Sequence, residues 1–473
     1  MNARGFSRRG LVAGGVFAGL LAGHAKAGDA APPQDADLSR VIEDRVAAIA
    51  DPENGVGVVA ALVDARGGKV VSAGRFGQPD PSPPPGEIVF EIASVTKAFT
   101  ALALCDSVRR GEVALFDPVA NHLPPSVTLP QRGGRSITLA DLATHTSSLP
   151  FMPEKPLEAT PQAHFRYLAQ YALPRDIGSG WDYSNLGYWL LGEALAYAAN
   201  MPFEALVTSR IIEPLRLTST AFAPSPSMRP RLATGRDASL RPTRPISTLA
   251  GYEVVIGPAG GLYSSVDDLA TFLATAMGLK PSPLTAAFQA MLATRRPTGE
   301  AGHEQALGWV VIDQGGQTIV FHDGGALGFA SAVAWDPATR TGACALSNQV
   351  TSVADIARHA LTPAFPLEKP TITRQVEVTL PQAQLLPLVG RYRSAQGVFA
   401  IGFDGAFLTL EAPADWGLPK LQLHAQSPRE FFGAILPVRV SIRTDSAGKV
   451  VGVLIHPPRG QAAVAAERMS PGS

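Results

Sequence analysis

A serine and a lysine three residues apart, Ser94 and Lys97, could act as a nucleophile and its base. They lie in the stretch 90–105, FEIASVTKAFTALALC, which would be apolar nearly all round a helix. Residues three apart share one helix face, so the two side chains would be neighbours. Burial would lower the pKa of the lysine amine, and the neutral amine could then take the serine proton. The start of the helix would add free N–H groups beside the nucleophile.

The spacing alone is a weak signal, because a chain with eight lysines can match S-x-x-K by chance. A second match runs from Ser446 to Lys449, in a polar segment between two predicted strands. We interpret that match as an exposed turn. The apolar surroundings therefore favour Ser94 as the reactive serine.

Tyr183 and Asn185 form the chain's single Y-x-N triplet, at the start of a predicted helix. Two positions apart in a turn that enters a helix, both side chains could face one pocket. The alternative is structural, with the tyrosine packed at the helix start and Asn185 as the helix cap. The triplet alone does not separate these interpretations.

A third polar segment, His322-Asp323-Gly324-Gly325, follows the predicted strand Thr318–Phe321 and precedes another strand. Glycines there would allow a ligand to approach the backbone at a sheet edge. A histidine at this place could equally be an ordinary surface or turn residue.

The elements that must position these residues predict an α+β fold. Strands occur near both ends of the predicted domain, residues 28–365, and helices occur between them. This indicates one mixed antiparallel sheet whose first and last strands meet, with an all-helical insert. After a linker rich in Pro and Thr, at 366–380, about eight short strands in 381–473 predict a small antiparallel β-barrel. The predicted helices are Leu38–Ala50, Ser94–Arg110, Leu139–Thr144, Ala163–Tyr171, Leu186–Ala199, Phe203–Ile212, Val266–Ala276 and Val353–Leu361.

Composition excludes several classes of protein. The 473 residues carry 40 basic and 40 acidic side chains, so no positive excess is present to hold nucleic acid. The sequence contains no P-loop, no H-E-x-x-H and no C-x-x-C, so no metal and no cofactor are expected. The two cysteines, Cys105 and Cys344, lie in apolar runs; buried free thiols are the first interpretation and a mutual disulfide is the alternative.

Residues 1–27 have the features of a secretory signal. Arg8 and Arg9 precede a 14-residue apolar run, Gly10 to Gly23, which ends near a small-x-small site at Ala25-Lys26-Ala27. The run is too short to span a membrane, and the paired arginines favour the twin-arginine type. We expect cleavage near Ala27, release into a bacterial periplasm and no stable membrane span in the mature chain. The alternative is a retained N-terminal helix.

Taken together and in this order, the three segments resemble the penicillin-binding protein and class C β-lactamase superfamily. Its signature is S-x-x-K, then Y-x-N, then K-T-G or H-x-G on a sheet-edge strand. Residues 142–150, LATHTSSLP, and 258–265, PAGGLYSS, resemble two further segments of that family. The likeness covers 38–363 and is nearest to AmpH-type carboxypeptidase/endopeptidases, while 381–473 resembles an appended lipocalin-like domain.

The resemblance implies a role for each matching residue. Ser94 would be the acylated nucleophile and Lys97 its base, while Tyr183 would relay the proton to the leaving group. The N–H groups of Ser94 and Gly325 would form the oxyanion hole, and four residues would bind the substrate. Those four are Asn185, His322, Asp323 and Gly324. Asn185 would hold either a substrate amide or Lys97.

The family pattern also implies a fold and an activity. The fold would be of β-lactamase/transpeptidase type, and the activity acyl transfer in two steps without a metal. We expect a periplasmic serine hydrolase acting on D-alanyl-D-alanine-type peptidoglycan peptides, with no nucleic-acid partner. Alternatives are a carboxylesterase or weak β-lactamase on the same fold and, from another class, a penicillin-binding sensor that does not hydrolyse.

Two departures from the family pattern bear on the substrate. Asp323 stands where the family usually has a hydroxyl that helps to bind a substrate carboxylate, so it would repel such a group or else pair with His322. His322 would also hold an anion less firmly than lysine, because histidine is only partly charged at neutral pH. Both departures favour neutral esters or amides. Ser148 stands where the family usually has glycine.

Overall fold

The structure is a computed structural model that describes residues 38–470 apart from 39, 42, 46–54, 79–81, 154–155, 250, 315, 363, 369–374, 414–419, 434–437 and 458–461. The chain divides into two compact units between residues 374 and 375. The predicted signal at 1–27, with its cleavage site near Ala27, lies outside the described residues. Within the described part, no helix is both long and apolar enough to cross a membrane.

The first unit is built on an eight-stranded sheet in which every ladder is antiparallel. The spatial order is β2-β1-β12-β11-β10-β9-β8-β7, and Val58 of β1 faces Ser347 of β12. The prediction that the first and last strands meet is therefore confirmed. The strands are β1 Gly57–Asp64, β2 Gly67–Gly74, β7 Arg296–Pro297, β8 His303–Gln305, β9 Val310–Gln314, β10 Gln317–Ala326, β11 Phe329–Asp336 and β12 Thr341–Ser347.

Two small sheets and a set of helices also belong to this unit in the described part of the chain. The small sheets pair β3 Val89–Glu91 with β6 Tyr263–Ser265, and β4 Gln131–Arg132 with β5 Arg135–Ser136. The helices are α1 Thr96–Arg109, α2 Leu139–Ala143, α3 Pro161–Gln170, α4 Asn185–Ala199, α5 Phe203–Val207, α6 Glu213–Leu215, α7 Ile256–Gly260, α8 Val266–Ala276, α9 Thr285–Met291 and α10 Ala354–His359.

Helix α1 lies at the centre of the hydrophobic core. Its residues from Thr96 to Ser107 are buried, so the helix has no solvent-facing stripe over most of its length. Phe99 of α1 stacks on Phe272 of α8 with ring centroids 4.2 Å apart. Burying an aromatic side chain of this size contributes roughly 1.5–3 kcal/mol, which anchors the helix that follows the predicted nucleophile.

The second unit is a closed antiparallel barrel of eight strands, as predicted. Buried side chains from all eight strands, among them Tyr392, Phe399 and Phe431, form its own hydrophobic core. A short helix, α11 Gln382–Leu385, precedes the barrel. The strands are β13 Gly390–Ser394, β14 Gly397–Phe403, β15 Leu408–Glu411, β16 Leu421–Ser427, β17 Glu430–Gly433, β18 Arg439–Thr444, β19 Val450–His456 and β20 Val464–Arg468.

Several element boundaries differ from the sequence prediction. Strand β10 continues to Ala326, so His322 to Gly325 lie within a strand rather than after one. The helix predicted over Phe203–Ile212 ends at Val207 and continues as a π turn, Thr208–Ile212. The short elements α6, α7, α9, α11 and β3–β8 were not predicted, because each is too short to show a clear apolar period. Cys105 and Cys344 are both buried free thiols.

The predicted linker at 366–380 contains the undescribed residues 369–374, and its last part is bound to the barrel. The Val378 N–H donates to the Ala425 carbonyl at 2.8 Å, and Glu377 contacts the His424 ring at 2.8 Å. On the other side, the Glu368 N–H donates to Asp355 at 2.8 Å within the first unit. The separation of the two units thus falls between residues 368 and 377.

We predict that the two units fold independently. A chain that stops after residue 374 should remain soluble and cooperative, because none of the described residues of 375–473 belongs to the core around α1. Circular dichroism and calorimetry on residues 28–374 and 375–473, made separately, will test this. Two transitions that reproduce those of the full chain are expected; a first unit that is insoluble without the barrel would contradict the prediction.

Candidate active site

Ser94 lies in a tight turn at the start of α1. A 3-10 turn, Ala93–Val95, leads directly into the helix, and Ala93 has a φ of +44°. A non-glycine residue in this region costs of order 1–2 kcal/mol. Between residues 88 and 107, all of which are described, Ser94 is the single residue that is not buried. The turn thus presents one hydroxyl to solvent from an otherwise buried segment.

The turn is held against strands β10 and β11. Ser331 of β11 donates its hydroxyl to the Ile92 carbonyl at 2.7 Å, and β10 passes so close that Gly324 has no room for a side chain. A Cβ at Gly324 would lie 2.5 Å from the Ile92 oxygen and 2.8 Å from the Ser94 nitrogen. Glycine is therefore required where β10 passes the nucleophile.

The predicted base, Lys97, lies about one helical turn after Ser94 and is fully buried. Its Nζ lies 3.2 Å from Ser94 Oγ, 2.8 Å from Asn185 Oδ1 and 2.5 Å from the Ala259 carbonyl oxygen. The Ala259 carbonyl belongs to α7. Helix α1 holds α7 in place through the Thr100 hydroxyl, which donates to the Pro258 carbonyl at 2.7 Å. The structure brings together the serine, the lysine and the asparagine that the sequence predicted.

Burial lowers the pKa of Lys97 well below its ordinary value, because an ammonium ion loses its hydration there. A neutral amine has two N–H donors and one lone pair. The oxygens of Asn185 and Ala259 can only accept, and they take both donors. The lone pair is left for the Ser94 hydroxyl. The three contacts therefore match the hydrogen-bonding capacity of a neutral amine.

Tyr183 and Asn185 flank the start of helix α4. The structural alternative assigned Asn185 as the cap, but Ser184 is the N-cap: its Oγ accepts the Gly187 N–H at 2.8 Å. Asn185 is the first residue of the helix and is free to bind Lys97. The Tyr183 ring is buried, with its centroid 4.7 Å from Lys97 Nζ. Both members of the triplet therefore contact the lysine.

His322 faces the same site from β10. Burial, together with the nearby Lys97, lowers the pKa of His322 to about 3, so the ring is neutral at physiological pH. Its Nδ1 lies 2.7 Å from the main-chain oxygen of Asp323; this nitrogen therefore carries the proton. The contact runs to the Asp323 backbone, and the expected alternative of a carboxylate pair with His322 is not observed.

Gly325 lies where β10 has an open edge. Strand β9 pairs only with Gln317–Phe321, and no further ladder covers 322–326 on that side among the described residues. Gly325 is exposed, and a Cβ there would contact nothing. The geometry leaves space for a substrate beside Ser94.

His145 belongs to this site but was given no role from the sequence. Its ring is buried and lies 4.4 Å from the Tyr183 ring, centroid to centroid. Burial, Lys97 and His322 lower the pKa of His145 well below its ordinary value. The sequence signal was the segment 142–150, where a histidine stands among small and apolar residues, but nothing in that pattern showed which residue it would contact.

Three other observations settle smaller points. The second S-x-x-K, Ser446 to Lys449, is an exposed turn between β18 and β19, as interpreted. Ser148 has a φ of +64°, which explains why glycine suits this position, and its Oγ accepts the Arg175 N–H at 3.3 Å. In the described part of the chain, no group of three His, Cys, Asp or Glu side chains could hold a metal ion.

Comparisons with known proteins agree with this geometry. A family model described as "Beta-lactamase" matches residues 39–363. The chain is 37% identical over 191 residues to the D-alanyl-D-alanine-carboxypeptidase/endopeptidase AmpH of Escherichia coli K12, an alignment covering 38% of this chain and 47% of AmpH. The chain thus spans about half the length of that relative.

Solved structures show the same fold. A class C beta lactamase from Rhodobacter sphaeroides has a TM-score of 0.60 at 23% identity, covering 69% of this chain and 97% of that one. A beta-lactamase/D-alanine carboxypeptidase from Pseudomonas syringae has a TM-score of 0.60 at 22% identity, covering 70% and 100%. Together with the family model, these likenesses confirm the resemblance and the fold class predicted from the sequence.

We predict that Lys97 makes folding pH-dependent. The unfolded chain protonates this amine below about pH 10.4, whereas burial keeps it neutral in the folded protein to a much lower pH. Lowering the pH from 10 towards 7 therefore favours the unfolded state of the wild type. In Lys97→Met this contribution is absent, so its free energy of unfolding relative to wild type should rise as pH falls, by at most about 1.4 kcal/mol per pH unit.

Urea unfolding at pH 7, 8, 9 and 10 will measure this difference. Lys449→Met is the matched control, because Lys449 is exposed and should show no such trend. Parallel stability curves for wild type and Lys97→Met would mean that the buried amine is charged.

Proposed function

The chain belongs to the beta-lactamase family, and on that premise we propose that it is a serine hydrolase that forms an acyl-enzyme on Ser94. The observation that carries the proposal is the contact set of Lys97: a buried amine whose two donors are occupied and whose lone pair is left for the Ser94 hydroxyl. A serine is a weak nucleophile unless an adjacent base takes its proton. This arrangement supplies such a base at neutral pH.

Acylation would proceed from that arrangement. Ser94 Oγ attacks the substrate carbonyl carbon as its proton passes to Lys97, and the carbonyl oxygen gains negative charge. The N–H groups of Ser94 and Gly325 would bind that oxygen. A removed donor in such a site typically costs about 10²–10³ in kcat. The tetrahedral species collapses as the leaving group departs with a proton.

Tyr183 would pass that proton from Lys97 to the leaving group. Its ring lies against the lysine, which supports this role. In the second step, water attacks the acyl carbon with the same groups acting in reverse, and Ser94 is released with its proton. Proton transfer by a positioned side chain contributes typically about 10²–10⁴ in rate.

We propose peptidoglycan-type peptides ending in D-amino acids as the substrate, with the chain acting in the periplasm. The likeness to AmpH supports the substrate class, and the signal-like residues 1–27 support the location. Both remain proposals for this chain. The barrel would take no part in the chemistry, since none of the proposed catalytic groups comes from residues 375–473.

A second candidate is a carboxylesterase acting on neutral substrates. The observation in its favour is His322, which is neutral and buried where many family members carry a lysine. A neutral ring offers no fixed positive charge to a substrate carboxylate. This candidate keeps the same nucleophile and base and differs only in what the cleft binds.

Substitution of Ser94 and mass spectrometry of the acylated protein test the assignment of the nucleophile. We expect Ser94→Ala to lose all turnover of p-nitrophenyl butyrate, nitrocefin and a D-Ala-D-Ala muropeptide, and to lose labelling by a fluorophosphonate. Lys97→Arg should lose at least about 10³ in kcat, because arginine stays protonated and cannot act as a base. Ser446→Ala and Lys449→Arg, in the exposed second motif, are the matched controls and should behave as wild type. An acyl group found on another residue would falsify the proposal.

The charge at position 322 is tested by His322→Lys. If the neutral ring favours neutral substrates, lysine should raise kcat/KM for a carboxylate-bearing substrate relative to a neutral ester by about tenfold, equivalent to about 1.4 kcal/mol. His322→Gln, which stays neutral, is the matched control and should leave that ratio unchanged. An equal ratio in both variants would show that position 322 does not select substrate charge.

A further inference from the structure

We propose that His145 is a positioning residue for Tyr183, because it binds the main chain on both sides of the tyrosine and covers one face of its ring. The inference rests on the proposed function, in which Tyr183 relays a proton to the leaving group. No role for His145 follows from the motifs or from the comparisons. The structure supports it through three independent contacts.

The first two contacts hold the backbone. The Asp182 N–H donates to the His145 carbonyl oxygen at 2.8 Å. The Ser184 N–H donates to His145 Nδ1 at 3.1 Å. Tyr183 stands between these two amides, so a single residue fixes the chain immediately before and after it. We call these two bonds the His145 clamp.

The third contact holds the ring. The imidazole lies 4.4 Å from the Tyr183 ring, centroid to centroid, at an interplanar angle of 31°, and it is itself packed 5.0 Å from Tyr188. The Tyr188 hydroxyl donates to the Ala143 carbonyl at 2.9 Å, which ties this packing to the segment that carries His145. With backbone and ring both held, the Tyr183 hydroxyl has a defined place relative to Lys97.

The clamp requires one tautomer. Since Nδ1 accepts the Ser184 N–H, it cannot carry a proton, and the ring proton must be on Nε2. An imidazolium would place two N–H groups against each other and break the clamp. Burial beside Lys97 and His322 lowers the pKa of His145, and this keeps the ring in the accepting form.

The backbone of His145 restricts the possible replacements. Its φ is +57°, a region that asparagine tolerates better than most residues. The Oδ1 of asparagine also occupies nearly the place of Nδ1 and accepts a hydrogen bond. His145→Asn should therefore keep the clamp, whereas His145→Phe keeps a ring but leaves the Ser184 N–H without its acceptor.

The experiment compares leaving groups. Two esters with the same acyl group are used, one releasing p-nitrophenol, which needs no proton, and one releasing ethanol, which does. Misplacing a catalytic group by about 1 Å can cost about 10²-fold. We expect His145→Phe to lose about 10²-fold in kcat/KM on the ethyl ester and less than about threefold on the p-nitrophenyl ester. Tyr183→Phe should show the same selective loss, and His145→Asn should stay within about threefold of wild type on both.

The matched control is His164→Phe. His164 is also buried and packs 5.2 Å from the Trp189 ring, so it reports the cost of changing a buried histidine elsewhere. Equal losses on both esters in His145→Phe, or a loss in His145→Asn as large as in His145→Phe, would overturn the proposal. Mass spectrometry of each variant separates this failure from a failure of the proposed function. If the acyl group is still detected on Ser94, the proposed function holds and only the role of His145 is wrong.

A measurement on the wild type tests the tautomer of His145 directly. In a nitrogen–proton correlation spectrum of the ¹⁵N-histidine-labelled protein, the His145 signal is identified by its absence in His145→Asn. We expect protonated Nε2 and unprotonated Nδ1 across neutral pH. A proton on Nδ1 would contradict the clamp directly.

Discussion

The burial of one amine, Lys97, is the constraint on which the rest of the candidate site depends. A lysine without water is stable only when it is neutral and its hydrogen bonds are satisfied. Three separate parts of the chain meet around it to do this: the turn of Ser94, the start of α4 at Asn185, and the carbonyl of Ala259 in α7. The turn of Ser94, α4 and α7 are thereby fixed relative to one another at the point where chemistry would occur.

The described site is dominated by basic groups that carry no charge. Lys97, His145 and His322 are all buried, and the causes that lower the pKa of each histidine include the proximity of Lys97. A proton gained by one of them would oppose protonation of the other two. Negative charge that develops on a substrate would then be met by main-chain dipoles and not by a fixed cation, which makes the placement of backbone N–H groups decisive.

Much of this could be predicted from the sequence, and the failures have physical reasons. The apolar residues around Ser94 and Lys97 predicted a buried lysine, because the apolar pattern of a helix can be read from the local sequence. The even spacing of short strands predicted the barrel. Asn185 and Lys97 are 88 residues apart in sequence, and their contact followed only from the family pattern. The role proposed for His145 could not be predicted, since it depends on which backbone amides face the ring. His322 was placed after a strand because glycines usually end strands, whereas here they allow β10 to pass Ser94.

Three of the seven described non-glycine residues with a left-handed φ lie in the segments that carry Ser94 and His145. Ala93, His145 and Ser148 all have left-handed φ values without being glycine. Each raises the free energy of the folded state by an amount that replacement with glycine would partly remove. Replacements at these positions would therefore raise thermal stability and lower turnover. Laboratory evolution that selects for thermostability alone will relax these positions and lower activity, so a thermostable variant of this protein is better sought in the barrel or on the outer helices.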